Sequence, residues 1–490
     1  MSKSSNKLAF SLSLGKIAAM VLNFVMPVFL SRFLTKEEYG LYSQFYLVHN
    51  FVGSICAFGI QSNLYYFFPN ATDTKKRQII WNTLVAISGF GVVGSLCLLI
   101  PGVSNVLLNE NLREYLNIII LCIIFYIPSL LIDPLGIVRD NKLLVMIYHP
   151  LSILLKVAFV VSFALIFHTL DSIFYAILLL EGIIFIFVLF YILRYYPLRG
   201  GNFLSLDLMK SQLTYSLPFG IAVCLNTLCM QMDKIICTNY LSLEDYAVYS
   251  IAFFGIPGIM QIYDALCQVN VVDMTKYHKN NDSSGVLECY KSFVTKTLSF
   301  SFPVILAGCL FSSQIIDLVF SPKYNTATPF FQLYLLTFIF GMIGAGTILR
   351  AIGKTKYSMY AFLISTVIGI PTTYLLIRHY GIWGAISSAM INTILPKLLQ
   401  IIFECRLMKS SFKDYLPWGN IFKIVGISAG LLLPILIFGF FIKWNIPLAI
   451  AVSIVYVLIV YLLEIKYDIF LVNKSIIVTR FKKENGEKRK

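Results

Sequence analysis

The chain has 490 residues, of which 58% are apolar and 13% charged, about half the roughly 25% charged content of an ordinary soluble domain. Apolar stretches of about 20 residues, each able to cross a hydrocarbon layer roughly 30 Å thick, recur from end to end and exclude an ordinary soluble protein. Lys and Arg outnumber Asp and Glu by 39 to 24, a net charge of +15, which would suggest nucleic acid on a soluble chain and must first be set against membrane topology.

In chain order the pattern predicts an all-α polytopic membrane protein. Fourteen transmembrane helices are expected, centred near residues 21, 53, 92, 126, 157, 184, 226, 258, 305, 338, 368, 393, 431 and 455. The first stretch, about 8–34, follows Lys3 and Lys7 as a secretory signal would. It is too long for one, holds Lys16 and Asn23, and lacks a small-residue cleavage site, so it reads as a permanent helix. The longest polar interruptions, about 194–212, 272–292 and the tail after 465, fall short of the roughly 50-residue lower end of domain sizes. The ten cysteines lie mostly in apolar runs without CxxC spacing and read as small core hydrophobes.

An even number of spans puts both termini on one side, and the Lys/Arg bias of short loops says which. Of the 39 basic residues, 27 fall on the face of the termini, seven on the other, and five within or at the ends of spans. A miscounted helix would reverse the bias halfway along. Both termini are therefore expected in the cytoplasm, and most of the positive charge is a topology signal rather than a nucleic-acid surface.

An internal repeat organises the chain. Residues 33–43 read FLTKEEYGLYS and residues 240–250 read YLSLEDYAVYS, an offset of 207 with five identities in eleven positions. The register continues through Ile55/Ile262, Gln61/Gln268 and Asn63/Asn270; weaker echoes pair 172–177 with 381–386 and Arg139 with Arg350. The unit is six helices, both copies start on the same side, and the repeat is parallel, with its pseudo-twofold along the membrane normal. The expected organisation is an N-terminal six-helix lobe at 1–200, a second at 201–410, two added helices at 411–465 and a basic cytoplasmic tail at 466–490. Such tails lie along anionic leaflets, where each basic residue contributes about 1 kcal/mol.

The run SLGKIAAMVLNFVMPVFLSRFLTKEEYGLYS (13–43), YSLPFGIAVCLNTLCMQMDKII (215–236), FSPKYNTATPFF (320–331), the Arg350, Gly353-Lys354-Thr355-Lys356 turn and YGIWGAISSAMI (380–391) resemble polysaccharide-unit flippases. These are the Wzx-type transporters of O-antigen, capsule and exopolysaccharide repeat units in the MATE-like (MOP) superfamily, and the resemblance spans about 10–405. It implies alternating-access movement of an undecaprenyl-pyrophosphate-linked oligosaccharide from the cytoplasmic to the outer leaflet of a bacterial inner membrane. A glycan polymerase or glycosyltransferases of the same pathway are the partners it implies.

Charges at mid-bilayer cost at least about 2.5–3.5 kcal/mol and usually face a bundle interior or a wet cavity. The first helix carries Ser13, Lys16, Met20, Asn23 and Pro27 on one stripe, and the fifth carries His149, Ser152 and Lys156. One reading is a cationic cleft in which Lys16, Asn23 and Lys156, with Lys397, attract a pyrophosphate, a role suited to lysine as a compact point charge. The other has Lys156 paired with Glu181 and Lys16 snorkelling to the cytoplasm.

Asp233, Asp264 and Glu181 are candidates for coupling to a proton or sodium gradient, since a desolvated carboxylate titrates in a useful range; for Asp233 the competing reading is a local pair with Lys234. On the eighth helix Ser250, Pro257, Gln261, Asp264 and Gln268 are expected on one face. Pro27, Pro218 and Pro257 are hinge candidates, because a proline inside a span frees a backbone carbonyl. His49 and His149 lack a second ligand at metal spacing, so no metal is expected. No GxxxxGK[ST] loop is present, so this chain is not expected to hydrolyse ATP and needs no cofactor. An ion-coupled drug antiporter on the same scaffold is the alternative within transport. A polytopic enzyme such as an oligosaccharide polymerase is a third reading, disfavoured because the outer loops are short.

Overall fold

Ten helices among the described residues are long and apolar enough to cross a membrane. The computed structural model describes residues 22, 25–69, 71–139, 141–198, 203–256, 258–439, 444–467 and 469. After a helical stretch at 25–33, the long helices are α1 (Lys36–Ala57), α2 (Asp73–Leu96), α3 (Leu116–Ser129), α4 (Lys142–Phe167), α5 (Leu170–Tyr195), α6 (Leu206–Tyr240), α7 (Leu243–Ala252), α8 (Ile259–Lys279), α9 (Ser283–Leu310), α10 (Thr328–Met342), α11 (Thr355–Met408), α12 (Trp418–Gly439) and α13 (Ile446–Lys466).

The chain divides into two units, Met1–Ser250 with Ile370–Ala385, and Ile251–Gly369 with Ile386–Lys490. In the first, α1 packs on α2, α3 and α6, and α5 packs on α3 and α4. In the second, α9 is central and touches α8, α10, α12 and α13. Ser299 on α9 donates to the buried carboxylate of Glu464 on α13.

Helices in lipid gain little from apolar burial against one another, so close backbone approach and interhelical hydrogen bonds hold them together. Both occur in the first unit. Gln212 Nε2 on α6 donates to the Ile79 carbonyl at 3.2 Å and to Thr83 Oγ1 at 3.0 Å on α2, and to Asn63 Oδ1 at 3.3 Å. A Cβ on Gly40 would stand 2.1 Å from the Leu243 carbonyl oxygen, so α1 and α7 meet backbone to backbone, and only glycine fits.

The repeat has a local cause. Thr35 caps α1: its hydroxyl accepts from the Glu38 amide at 3.2 Å and Glu38 Oε2 accepts from the Thr35 amide at 2.8 Å, a capping box. One repeat later the Ser242 hydroxyl accepts from the Asp245 amide at 3.1 Å at the start of α7. The Tyr39 and Tyr42 rings lie 6.1 Å apart, and Tyr246 and Tyr249 also 6.1 Å apart. Ser43 and Ser250, equivalent in the two copies, touch each other, Oγ to Oγ 3.3 Å.

Among the described residues the apolar spans number ten, and eleven once the 54-residue α11 is divided at Gly381, whose φ of 54° and ψ of −130° are non-helical; the first, second and eighth expected spans make up the difference from fourteen. The first expected span falls largely outside the described residues. The second corresponds to α1, whose Glu37, Glu38, Gln44, His49 and Asn50 keep it below the hydropathy of the others. The eighth is two helices, α7 and α8, with residues 254–256 non-helical between them. The predicted stripe of Ser250, Pro257, Gln261, Asp264 and Gln268 is therefore not one face of one helix, because a proline flanked by Gly255 and Gly258 sits where the helix would have to continue.

Candidate functional site

Four helices of the first unit converge on Lys156. Its Nζ, from α4, sits 4.4 Å from the centroid of the Tyr46 ring on α1. The Tyr42 ring lies tilted against Tyr46 at 5.0 Å, and His49 lies 4.7 Å from Tyr126 of α3. Room for Tyr126 is made by Gly53, where a Cβ would come within 3.1 Å of the ring. Glu181 on α5 is buried at 5% exposure, and its carboxylate is the charge that acts on Lys156. Among the described residues no ion pair within 4 Å joins the two.

The surroundings of Lys156 are thus aromatic, with a carboxylate behind them. A desolvated ammonium over a tyrosine face gains about 2 kcal/mol, which offsets much of the cost of a charge at membrane depth. His49 is also buried, at 3%, and neither ring nitrogen makes a hydrogen bond of normal geometry. A buried imidazole without such a bond is the kind of group that a polar guest or water completes.

Pseudo-symmetry separates what the fold needs from what this site adds. The repeat register places Phe253 opposite Tyr46, Ile256 opposite His49 and Met390 opposite Glu181. The second copy folds with apolar residues at these positions, so the polar groups around Lys156 are not demanded by the architecture. Sequence reading singled out Lys156 and Glu181 but missed Tyr46, Tyr126 and His49 as their company. Comparison of the two repeat copies would have shown the substitutions.

The remaining candidates are dispersed. Lys16, Asn23 and Pro257 lie outside the described residues. Lys397 on α11 rests with its Nζ against Gly341 of the second unit, and among the described residues no carboxylate stands within 4 Å of it. Asp233 on α6 is buried at 6% and accepts from the Tyr249 hydroxyl at 2.8 Å; among the described residues no ion pair joins it to Lys234. Asp264 is exposed on α8, one turn from Cys267, whose sulfur meets Arg350 Nη2 at 2.9 Å. Pro27 falls within the helical stretch 25–33, and Pro218 is exposed inside the continuous helix α6. The structure brings Lys156 and Glu181 together in the first unit; Asp264 and Lys397 belong to the second.

The profile of a family described as polysaccharide biosynthesis protein matches residues 29–329. No curated protein sequence matches the chain. Among solved structures, the lipid II flippase MurJ in an inward closed conformation superposes with a TM-score of 0.67 at 15% identity, covering 93% of this chain and 98% of that one. An inward-facing multidrug resistance MATE transporter of the MOP superfamily gives 0.55 at 12% identity over 83% and 98%. A MOP superfamily transporter from Pyrococcus furiosus gives 0.54 at 13% identity over 83% and 96%. At these identities the likeness is one of fold.

Proposed function

The chain belongs to the polysaccharide biosynthesis protein family, and we propose that it is a flippase carrying lipid-linked oligosaccharide units across a bacterial inner membrane, from the cytoplasmic to the outer leaflet. Family membership over 29–329 is the observation that carries this reading. The fold supports it, being shared over nearly the whole length with a lipid II flippase. The chemistry of the first unit agrees: an ammonium set among tyrosines offers a counter-charge to a diphosphate and aromatic faces to sugars. The protein acts as a carrier and makes or breaks no bond of its substrate.

The Lys/Arg bias, 27 basic residues on one face against seven on the other when fourteen spans are counted, supports a reading with both ends in the cytoplasm. Glu181 is the coupling candidate we retain, because it is the carboxylate that acts on Lys156, and its protonation would change the charge of the pair. Gradient dependence is the drug-antiporter hypothesis's expectation too, but that reading favours a net acidic site over a lysine among tyrosines.

Deleting the gene and following the leaflet distribution of the lipid-linked oligosaccharide tests the reading. Accumulation on the cytoplasmic leaflet is expected. Unchanged surface glycans with altered drug sensitivity would overturn it in favour of the antiporter.

A further inference from the structure

A cavity of about 560 Å³ opens in the first unit, between the start of α2, the residues around the end of the helix Ile132–Val138, and the end of α5. Three cations line it: Lys76, Arg77 and Arg139. All three lie in loops or helix ends on the face that the basic-residue bias assigns to the cytoplasm.

Arg139 is held flat and ready. Its guanidinium carbon stands 3.6 Å from the Tyr195 ring centroid, and Nη1 donates to the Tyr191 hydroxyl at 3.0 Å. Stacking fixes the plane while leaving most of the five N–H donors of the fork unspent. Among the described residues no carboxylate stands within 4 Å of it. The one acidic group on the wall, Asp73, contacts Lys76 at 3.5 Å with its own side chain fully exposed. An exposed pair of this kind contributes little and is readily exchanged, and the wall carries three cations against this one carboxylate.

The aromatic rim places the cavity at the level where lipid headgroups lie. Tyr195 and Tyr196 line it at the end of a transmembrane helix, as aromatic residues do at membrane interfaces. Burial pushes the Tyr196 phenol up to about 12, against the opposing pull of Arg139, so it remains a proton donor over the working pH range. The volume lies within the range of small-ligand sites and exceeds what a lone phosphate fills.

We propose that this cavity is a docking site for a phosphate-bearing lipid headgroup at the cytoplasmic surface, with Arg139 as the bidentate partner and Lys76 and Arg77 as flanking charges. Two sources share that chemistry, the diphosphate of a polyprenyl-linked substrate and the phosphodiester of a bulk anionic phospholipid. The first rests on the flippase reading and makes the cavity a loading station ahead of Lys156. The second stands without it.

The full-length protein in phosphatidylcholine nanodiscs is titrated with geranylgeranyl diphosphate, and separately reconstituted with increasing phosphatidylglycerol, with bound lipid counted by native mass spectrometry. Wild type is expected to bind the diphosphate, with Arg139→Gln weakening it at least tenfold and Arg139→Lys less. Arg77→Gln is run in parallel and carries the comparison if Arg139→Gln does not fold. Equal loss of phosphatidylglycerol occupancy in the variants assigns the site to bulk phospholipid and upholds the shared chemistry. Binding of both lipids that none of these substitutions alters overturns the proposal. Because the readout is binding, failure of export in a deletion strain and failure here are separate results.

Discussion

Removing the charge at Lys156 separates function from folding most sharply. At membrane depth a lysine costs about 2.5–3.5 kcal/mol, and the Tyr46 face 4.4 Å from Nζ returns about 2 kcal/mol. The cation therefore carries a net cost of about 0.5–1.5 kcal/mol before its carboxylate is counted. Lys156→Met alone strands the buried Glu181 without its counter-charge and should destabilise more than removing both charges. The double variant Lys156→Met/Glu181→Gln removes both charges and is expected within about 1 kcal/mol of wild type. Thermal unfolding in detergent reads the first quantity. Labelling of lipid-linked oligosaccharide at the outer leaflet reads the second, and the double variant is expected to lose at least tenfold, more than Glu181→Gln alone. Wild-type export by the double variant would refute the role given to Lys156; a double variant as unstable as the single one would make the pair structural.

Four further outcomes follow from the geometry. Gly40→Ala places a methyl group 2.1 Å from the Leu243 carbonyl and should destabilise by about 1–3 kcal/mol, seen as a lowered unfolding midpoint. Thr35→Ala and Ser242→Ala each remove an N-cap and should cost about 1 kcal/mol apiece, additively if the two caps act independently. Tyr249→Phe leaves the buried Asp233 without its donor and should cost about 1–3 kcal/mol, whereas Asp233→Asn keeps an acceptor and should export normally; loss of export in Asp233→Asn with intact stability would make it a coupling residue. The Gly285 amide and Ser284 hydroxyl hold the Asp282 carboxyl below the ordinary carboxylate range. A lowered folded value means that this cap of α9 is present above the unfolded value and is lost as pH falls through the folded one; hydrogen exchange at amides 284–286 should accelerate in acid, and at neutral pH in Asp282→Ala.

Much of the architecture was legible because it is written in local signals. The capping residues Thr35 and Ser242, and the tyrosine pairs that follow them, recur because each copy must start a helix and pack the same rings. Fourteen helices were harder to read. A span as polar as α1, and one interrupted at residues 254–256, satisfy a repeat without satisfying a hydropathy window. The break in the eighth was signalled by Gly255-Ile256-Pro257-Gly258, three helix-weakening residues in four, and was outweighed by the apolar length around it.

The site was legible only as isolated polar residues. Lys156 and Glu181 stand out because they are charges in apolar runs. Their aromatic company comes from positions 46 and 126, which no local pattern links to 156. The Arg139 cavity was hidden for the same reason, since its walls are drawn from three separate stretches and its cations were absorbed by the topology rule.

Ser43 and Ser250 occupy the same place in the two copies and touch one another. In a closed symmetric dimer, a residue meets its own counterpart only on the rotation axis. Before the two halves were joined in one polypeptide, this contact would have been a serine meeting itself across a dimer interface, with Gly40 letting the two backbones close. The fused chain is then free to change one side at a time, and the differences between Tyr46 and Phe253, or Glu181 and Met390, are substitutions that an ancestral homodimer, bound to mirror every mutation in both protomers, had no means of making singly.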